Sequence, residues 1–388
     1  MAYITENRSG EYRSVLSGEF EYKAFEPKDM PPIPIINIYS DMLVLVGQSN
    51  RLLGILDGLS ANIPNMNLFL TMYIRKEALL SSQIEGTQAS LDDILDPAIE
   101  ENVNLDVDEV INYIKAMDFA VERLKSLPLC NRFIREVHEK LLSGTRGREK
   151  NPGQFRTTQN WIGAQGCTLK TASFVPPSPE MMEKAMSALE AYINSADEID
   201  PLIKIGLVHY QFETIHPFAD GNGRIGRMLI TLWLIERGLL KNPVLYISYY
   251  LKRNRAEYYD RLSLVRKKGE FEQWIRFFLQ GVTETAEDAI ESIKALNELH
   301  NRNINKINSI GGRIKNILRL FSYIEQNPII DIQKTAAELN LSYNTVSKVA
   351  NVLIENKILA SVTNAKRNRC FAYEEYLNLL KKDTEAVK

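Results

Sequence analysis

The stretch His216-Pro217-Phe218-Ala219-Asp220-Gly221-Asn222-Gly223-Arg224-Ile225-Gly226-Arg227 concentrates more chemistry than any other part of this 388-residue chain. The residues before it, Pro201–Ile215, carry Leu202, Ile205, Val208, Phe212 and Ile215 at helical spacing,. Pro217 disfavours the right-handed helical region at His216, so that helix is expected to stop there. Glycines 221 and 223 let successive N–H groups converge ahead of a helix expected over Ile225–Glu236, which makes an anion site. Arg224 and Arg227, three apart on the first turn, reach the same anion. Asp220 offers a hard oxygen suited to Mg²⁺ beside phosphates. His216 has the one side chain here whose ordinary pKa suits a general base near neutrality. A phosphate cradle, a metal ligand and a base are the equipment of phosphoryl or nucleotidyl transfer.

Each feature alone has an ordinary explanation: a helix-end histidine, a glycine turn, solvated arginines. Their convergence within twelve residues does not. Gly221-x-Gly223-x-x-Gly226 also fits the dinucleotide fingerprint, but a helix precedes it where that motif needs a strand, so a Rossmann unit is rejected. No P-loop pattern occurs.

Working outward, apolar residues recur at three and four through Met42–Leu59, Leu68–Ile84, Val110–Leu127 and Phe271–Leu299, and each stretch is expected to be helical,. Residues 1–35 are polar and end in Met30-Pro31-Pro32-Ile33-Pro34, which reads as an N-terminal arm,. Asn151–Pro179 has a different texture, and Cys167–Val175 within it is expected to be extended as a small hairpin. From about Gly311 the pattern is that of a winged helix-turn-helix. Helices are expected at Ile314–Glu325, Ile332–Leu339 and Tyr343–Glu355, the last capped by Ser342, with strands near Leu359–Thr363 and Cys370–Tyr373 around a basic tip, Lys366-Arg367-Asn368-Arg369,. Twelve Lys and Arg against eight Asp and Glu from residue 310 onward leave this unit mildly basic, open to DNA binding or to packing and dimerisation,. The domain plan is therefore an arm (1–35), a helical region (36–105), a core (106–300) and a winged unit (311–388). The fold class is mainly α with a small β-hairpin flap.

Composition narrows the class. A 45% hydrophobic, 25% charged chain of net charge −2 is an ordinary globular one, not a nucleic-acid coat,. No apolar run approaches the roughly 20 residues of a membrane span, and the N-terminus lacks a signal-peptide core. Cys130, Cys167 and Cys370 form no disulfide or zinc pattern, so free thiols in the cytoplasm are expected,.

His216–Arg227 resembles the Fic signature H-P-F-x-[DE]-G-N-G-R-x-x-R at every specified position. Pro152-Gly153-Gln154-Phe155-Arg156, Asn160-Trp161-Ile162-Gly163 and Phe174-Val175-Pro176-Pro177 resemble the segment leading into that family's target-binding flap. The resemblance covers roughly residues 40–300, and the winged tail recurs in bacterial members. It implies a protein adenylyltransferase that moves AMP from ATP to a Ser, Thr or Tyr hydroxyl. His216 would deprotonate the hydroxyl and Asp220 would hold Mg²⁺. Gly221, Asn222 and Gly223 would form the hole for the α- and β-phosphates. Arg224 and Arg227 would take the terminal phosphates, with Arg227 on the γ-phosphate. Phe218 would anchor the loop, and a flap near Thr168–Val175 would hold the target protein by main-chain pairing. Tyr249, Tyr250, Tyr258 and Tyr259 are candidates for the adenine. Ser81-Ser82-Gln83-Ile84-Glu85-Gly86 resembles the family's inhibitory pattern [ST]-x-x-x-E-[GN], which implies autoinhibition by Glu85 through Arg227. The alternatives are a DNA-binding regulator with a Fic sensor, or a Fic enzyme that removes AMP or moves UMP, phosphocholine or phosphate.

Overall fold

The computed structural model describes residues 8–16, 18, 21–61, 66–95, 104–144, 149–164, 166–196, 198–311, 314–362 and 370–381. The basic tip Lys366–Arg369 lies outside them.

Helices dominate, as expected. A first hairpin, β1 (Gly10–Val15) and β2 (Tyr22–Pro27), leads into α1 (Ser40–Ala61), α2 (Met66–Ile84), α3 (Leu91–Leu95), α4 (Leu105–Leu124) and α5 (Asn131–Leu142). After the extended segment come α6 (Pro179–Asn194), α7 (Pro201–Ile215), α8 (Asn222–Glu236), α9 (Ser248–Arg253), α10 (Arg255–Lys268) and α11 (Phe271–Ser309). Local chemistry explains several starts. Ser178 caps α6 and Asp200 caps α7, each followed by a proline at the first helical position, where its missing N–H costs nothing,. Every residue of α7 from Leu202 to Ile215 is buried, so α7 is the central rod. Helix α8 packs along it, and α2, α4 and α5 also contact α8.

The expected arm at 1–35 is instead a docked hairpin. Phe25 is fully buried, and its N–H donates to the Val175 carbonyl at 2.9 Å. Arg8, also buried, pairs with Glu272 at 3.0 Å. Few apolar residues suffice here because the hairpin covers existing core rather than forming its own. The expected hairpin at Cys167–Val175 is likewise reduced: among the described residues one antiparallel bridge, Ile162 with Phe174, closes the segment. Helix α11 runs without a break from Phe271 to Ser309, across the boundary expected at residue 300.

The C-terminal unit contains α12 (Lys315–Gln326), β3 (Ile329–Asp331), α13 (Ile332–Glu338), α14 (Tyr343–Glu355), β4 (Ala360–Ser361), β5 (Cys370–Ala372) and α15 (Glu374–Lys381). Its strands pair antiparallel in the order β3-β5-β4. The Ser342 hydroxyl accepts the Thr345 N–H and caps α14, as expected. Strand β3 and helix α15 are additions to the expected pattern. The unit rests on α11, where Asn303 donates to the Tyr373 hydroxyl and His300 pairs with Glu325, both at 2.6 Å. It also rests on α2 and α3, where Lys381 meets Asp92 at 2.7 Å. Among the described residues no helix is long and apolar enough to cross a membrane.

Candidate active site

Helix α7 ends as the proline requires. His216 adopts φ 51°, ψ 62°, a left-handed conformation that costs a non-glycine residue on the order of 1–3 kcal/mol,. Its carbonyl accepts from Arg156 Nε at 2.9 Å and from Asn160 Nδ2 at 3.3 Å. The Arg156 N–H donates to the Pro217 carbonyl at 2.9 Å. Burial pushes the His216 imidazole down to about 4, against the pull of Glu85. The ring is therefore neutral at pH 7, with a lone pair free to take a proton.

Phe218 is fully buried and stacks face to face on His138 at 3.7 Å, so it does anchor the loop. His138 is itself a strut. The Gly153 N–H donates to its Nδ1 at 2.9 Å, which leaves Nε2–H to donate to the Asp220 carbonyl at 3.0 Å. Burial holds this ring down to about 4, so the arrangement stays neutral.

Helix α8 starts at Asn222, three residues earlier than expected, because Gly221 takes φ 77° and caps it,. The N–H groups of Asn222, Gly223 and Arg224 occupy the first turn, where no intrahelical acceptor exists, so the helix end itself offers donors to an anion,. The Asn222 side chain is not part of it. Its Oδ1 accepts the Phe218 N–H and its Nδ2 donates to the Phe218 carbonyl, both at 2.8 Å, leaving its backbone N–H for an anion. The Arg224 guanidinium is 4% exposed, yet its Nε and Nη1 have no hydrogen-bond partner among the described residues. Its Nη2 reaches Asp220 Oδ1 at 3.4 Å. Asp220 is 45% exposed, an open carboxylate beside the helix end. Among the described residues no three acidic, imidazole or thiol groups gather to hold a metal. One open carboxylate next to a phosphate site nonetheless suits Mg²⁺, which takes most of its ligands from phosphates and water.

Arg227 is 1% exposed. Its Nε donates to Ser81 Oγ at 2.9 Å, and its Nη2 donates to the Ser81 carbonyl at 2.8 Å and to Glu85 Oε1 at 2.7 Å. The Glu85 carboxylate lies over the first turn of α8. A Cβ on Gly223 would stand 2.1 Å from Glu85 Oε1, so only glycine admits the acid. Burial alone would raise the Glu85 carboxyl, but Arg227, Arg224 and His216 together hold it below the usual carboxylate range. Thr87, two residues on, donates to Glu109 at 2.9 Å, and Glu109 lies 3.7 Å from Arg224. Gly226 serves packing, since a Cβ there would meet Glu213 Oε1 at 2.3 Å. Glu213 is a buried acid pushed up to about 7 by desolvation, against the pull of Arg227.

The tyrosines divide. Tyr259 is 39% exposed and close enough to Glu85 and Arg227 to feel their charges. Tyr249 lies between Lys76 and Arg253. Tyr250 is buried, with its ring against Phe277 and Gly281. Tyr258 is fully buried, with its hydroxyl on His209. Arg156 and Ser81 enter the sequence motifs without a role of their own, and His138 and Glu213 stand in none of them.

Residues 128–234 match the family model described as Fic/DOC family, and residues 43–122 the one described as Fic/DOC family N-terminal. "Protein adenylyltransferase Fic" of Nematostella vectensis is 30% identical over 193 residues, 49% of this chain and 40% of that one. The protein of the same name in Drosophila grimshawi is 30% identical over 188 residues, 48% of this chain and 34% of that one. The chain thus spans well under half the length of these relatives. A crystal structure of a Fic family protein from Desulfovibrio desulfuricans G20 shares the fold, with a TM-score of 0.55 at 19% identity over 87% of this chain and 97% of that one. Glu85 lies inside the segment similar to the Fic/DOC N-terminal model, and His216–Arg227 inside the segment similar to the Fic/DOC model.

Proposed function

We propose that this chain is a protein adenylyltransferase, transferring AMP from ATP to a Ser, Thr or Tyr hydroxyl of a target protein or of itself, with Glu85 restraining it. The observation that carries the reading is the buried, under-partnered Arg224 guanidinium at the N-terminus of α8, beside a neutral His216. Buried donors without acceptors are costly, and an incoming anion satisfies them. The names of the relatives support this activity over the regulator alternative.

In this mechanism the polyphosphate rests on the first-turn N–H groups of α8, on Arg224 and on Arg227. His216 takes the proton of the target hydroxyl as its oxygen bonds to the α-phosphorus. The bond from that phosphorus to the bridging oxygen breaks, and pyrophosphate leaves. Asp220 would hold Mg²⁺, whose chemistry is to neutralise phosphate charge. Tyr259, half-exposed near Glu85 and Arg227, would approach the nucleotide. The exposed turn Thr168–Thr171 and the strand-like stretch to Val175 would seat the target segment by main-chain pairing. Incubation with α-labelled ATP and Mg²⁺ tests the reading: label should appear on the protein itself or on lysate proteins. Label absent from both, with Glu85→Gly as well as the unaltered chain, would refute it.

The C-terminal unit has a second role in this reading, contact with DNA as a winged helix. Exposed Asn344, Lys348 and Asn351 share one face of α14, beside Tyr343 at 46% exposure. A mobility shift that weakens steeply with salt is the expected result.

A further inference from the structure

Arg156 belongs to the segment before the flap, not to the signature loop, yet its Nε and its main-chain N–H donate into that loop, to the His216 and Pro217 carbonyls. Its side chain is buried, and among the described residues it has no ion pair. All its side-chain acceptors are main-chain carbonyls. Nε donates to His216 at 2.9 Å, Nη1 to Thr158 at 3.2 Å, and Nη2 to Pro177 and, at 3.5 Å, to Ile215. Ile215 and His216 end α7, where unsatisfied carbonyls carry partial negative charge. Thr158 and Pro177 stand at the two ends of the flap-bearing segment. One guanidinium therefore ties both feet of the flap to the backbone of the residue read as the base.

That residue is held in an unfavourable place. A left-handed non-glycine residue persists only where its surroundings over-determine it,. Here the over-determination is explicit: Arg156 and Asn160 both donate to the His216 carbonyl, and the Arg156 N–H takes the next one, Pro217. A buried cation without a counter-ion is costly, and carbonyl dipoles at a helix end are what compensates it.

We propose that Arg156 is a positioning residue for the transfer: it fixes His216 in its left-handed conformation and holds the target-binding flap in register with the imidazole. This rests on the reading of His216 as the base and of Thr168–Val175 as the target seat. Arg156 touches neither the anion site on α8 nor Arg224 or Arg227, so its loss should slow transfer without weakening ATP.

The test uses the full chain in a Glu85→Gly background, with α-labelled ATP and auto-modification as the readout. Arg156→Met should lower the maximal rate about 10²-fold, the cost of misplacing a reacting group by about 1 Å. The KM for ATP should stay within about threefold on the same argument. Arg156→Ala should lose as much and regain at least about tenfold when free guanidinium is added at non-denaturing concentration. His216→Ala should show no such rescue. Arg156→Lys should fall between, because an ammonium makes fewer of the forked contacts. An unchanged rate in folded Arg156→Met would overturn the proposal. So would a KM for ATP rising in step with the loss of rate, or guanidinium acting equally on His216→Ala. If Arg156→Met fails to fold, Arg156→Lys and the rescue of Arg156→Ala decide the matter. Should His216→Ala itself retain label incorporation, the reading of the base fails, and that result is distinct from any Arg156 outcome.

Discussion

Two helix ends meet at Arg227, and they treat the same carboxylate in opposite ways. Glu85 lies one residue beyond the end of α2, where the helix dipole already places negative charge, a mismatch of a few tenths to about 1 kcal/mol,. Across the gap, the first turn of α8 presents free N–H groups and Arg227, which welcome an anion. The acid is thus held by its neighbour against the field of its own helix. It is also 38% exposed where Arg227 is 1% exposed, so the pair is buried on one side only, and solvent weakens it,. A group held in this way can be displaced by a stronger anion without unfolding anything.

The comparison is tested most severely at the base. His216→Ala should lower AMP transfer by about 10²–10⁴-fold, while ATP still binds on α8 and the arginines. If binding vanished together with transfer in a folded variant, the separation of base from phosphate site would be wrong.

Next in size is the acid. Glu85→Gly should raise label incorporation by about 10²-fold, since a misplaced α-phosphate costs about that much. Arg227→Ala should lower it, and the double variant should behave as Arg227→Ala, because removing the brake restores no phosphate ligand. An unchanged rate in folded Glu85→Gly would break the contrast between the two helix ends.

The smallest effect separates Glu85 from Glu77, two turns earlier on α2. Glu77 is buried, accepts from Ser248 and Tyr113, and is pushed up to about 7 by desolvation, with Arg227 pulling the other way. A carboxyl raised in the folded state adds stability that is fully present below its ordinary pKa and is lost as pH rises through about 7,. Glu77→Gln keeps an oxygen for both hydroxyls and should remove that loss, gaining about 1–3 kcal/mol relative to the unaltered chain between pH 5 and 8. Melting curves across that range check it, and a flat difference would refute it. His138, His209 and His216, held down to about 4, act in the opposite sense, losing stability as pH falls from 6.5 toward 4. They do not affect the difference between the two proteins.

What the sequence disclosed follows from what leaves a repeating pattern. Helices α1, α2, α4 and α11 bury an apolar face and α7 is buried all round, and apolar residues at three and four mark all five,. The loop between α7 and α8 was legible because its chemistry is contiguous. The start of α8 is not legible: Asn222 and Gly223 are poor helix formers, and they are recruited by the left-handed Gly221 and by the clamp of Asn222 on Phe218. The role of Arg156, quoted within a motif, and that of His138, in none, are not legible because their partners are main-chain groups far along the chain, which no side-chain spacing encodes. The inward turn of Tyr250 is not legible in the sequence because Gly281, with no Cβ to oppose the ring, lies 31 residues on.

The first hairpin bears on where such a protein can be cut. The family match begins at residue 43, so a fragment trimmed to that boundary keeps every residue proposed to hold phosphate and the proposed base. It forfeits the N–H of Phe25 that meets Val175, and the ring that lies 6.1 Å from Phe174. It also forfeits the Tyr22 hydroxyl on Gln159, whose amide holds the Pro176 carbonyl. The foot of the flap would then stand in water on the side where a buttress now leans. Such a fragment would be a competent nucleotide binder with a poorly aimed hand, and its choice of protein partner would report on the fragment rather than on the whole chain.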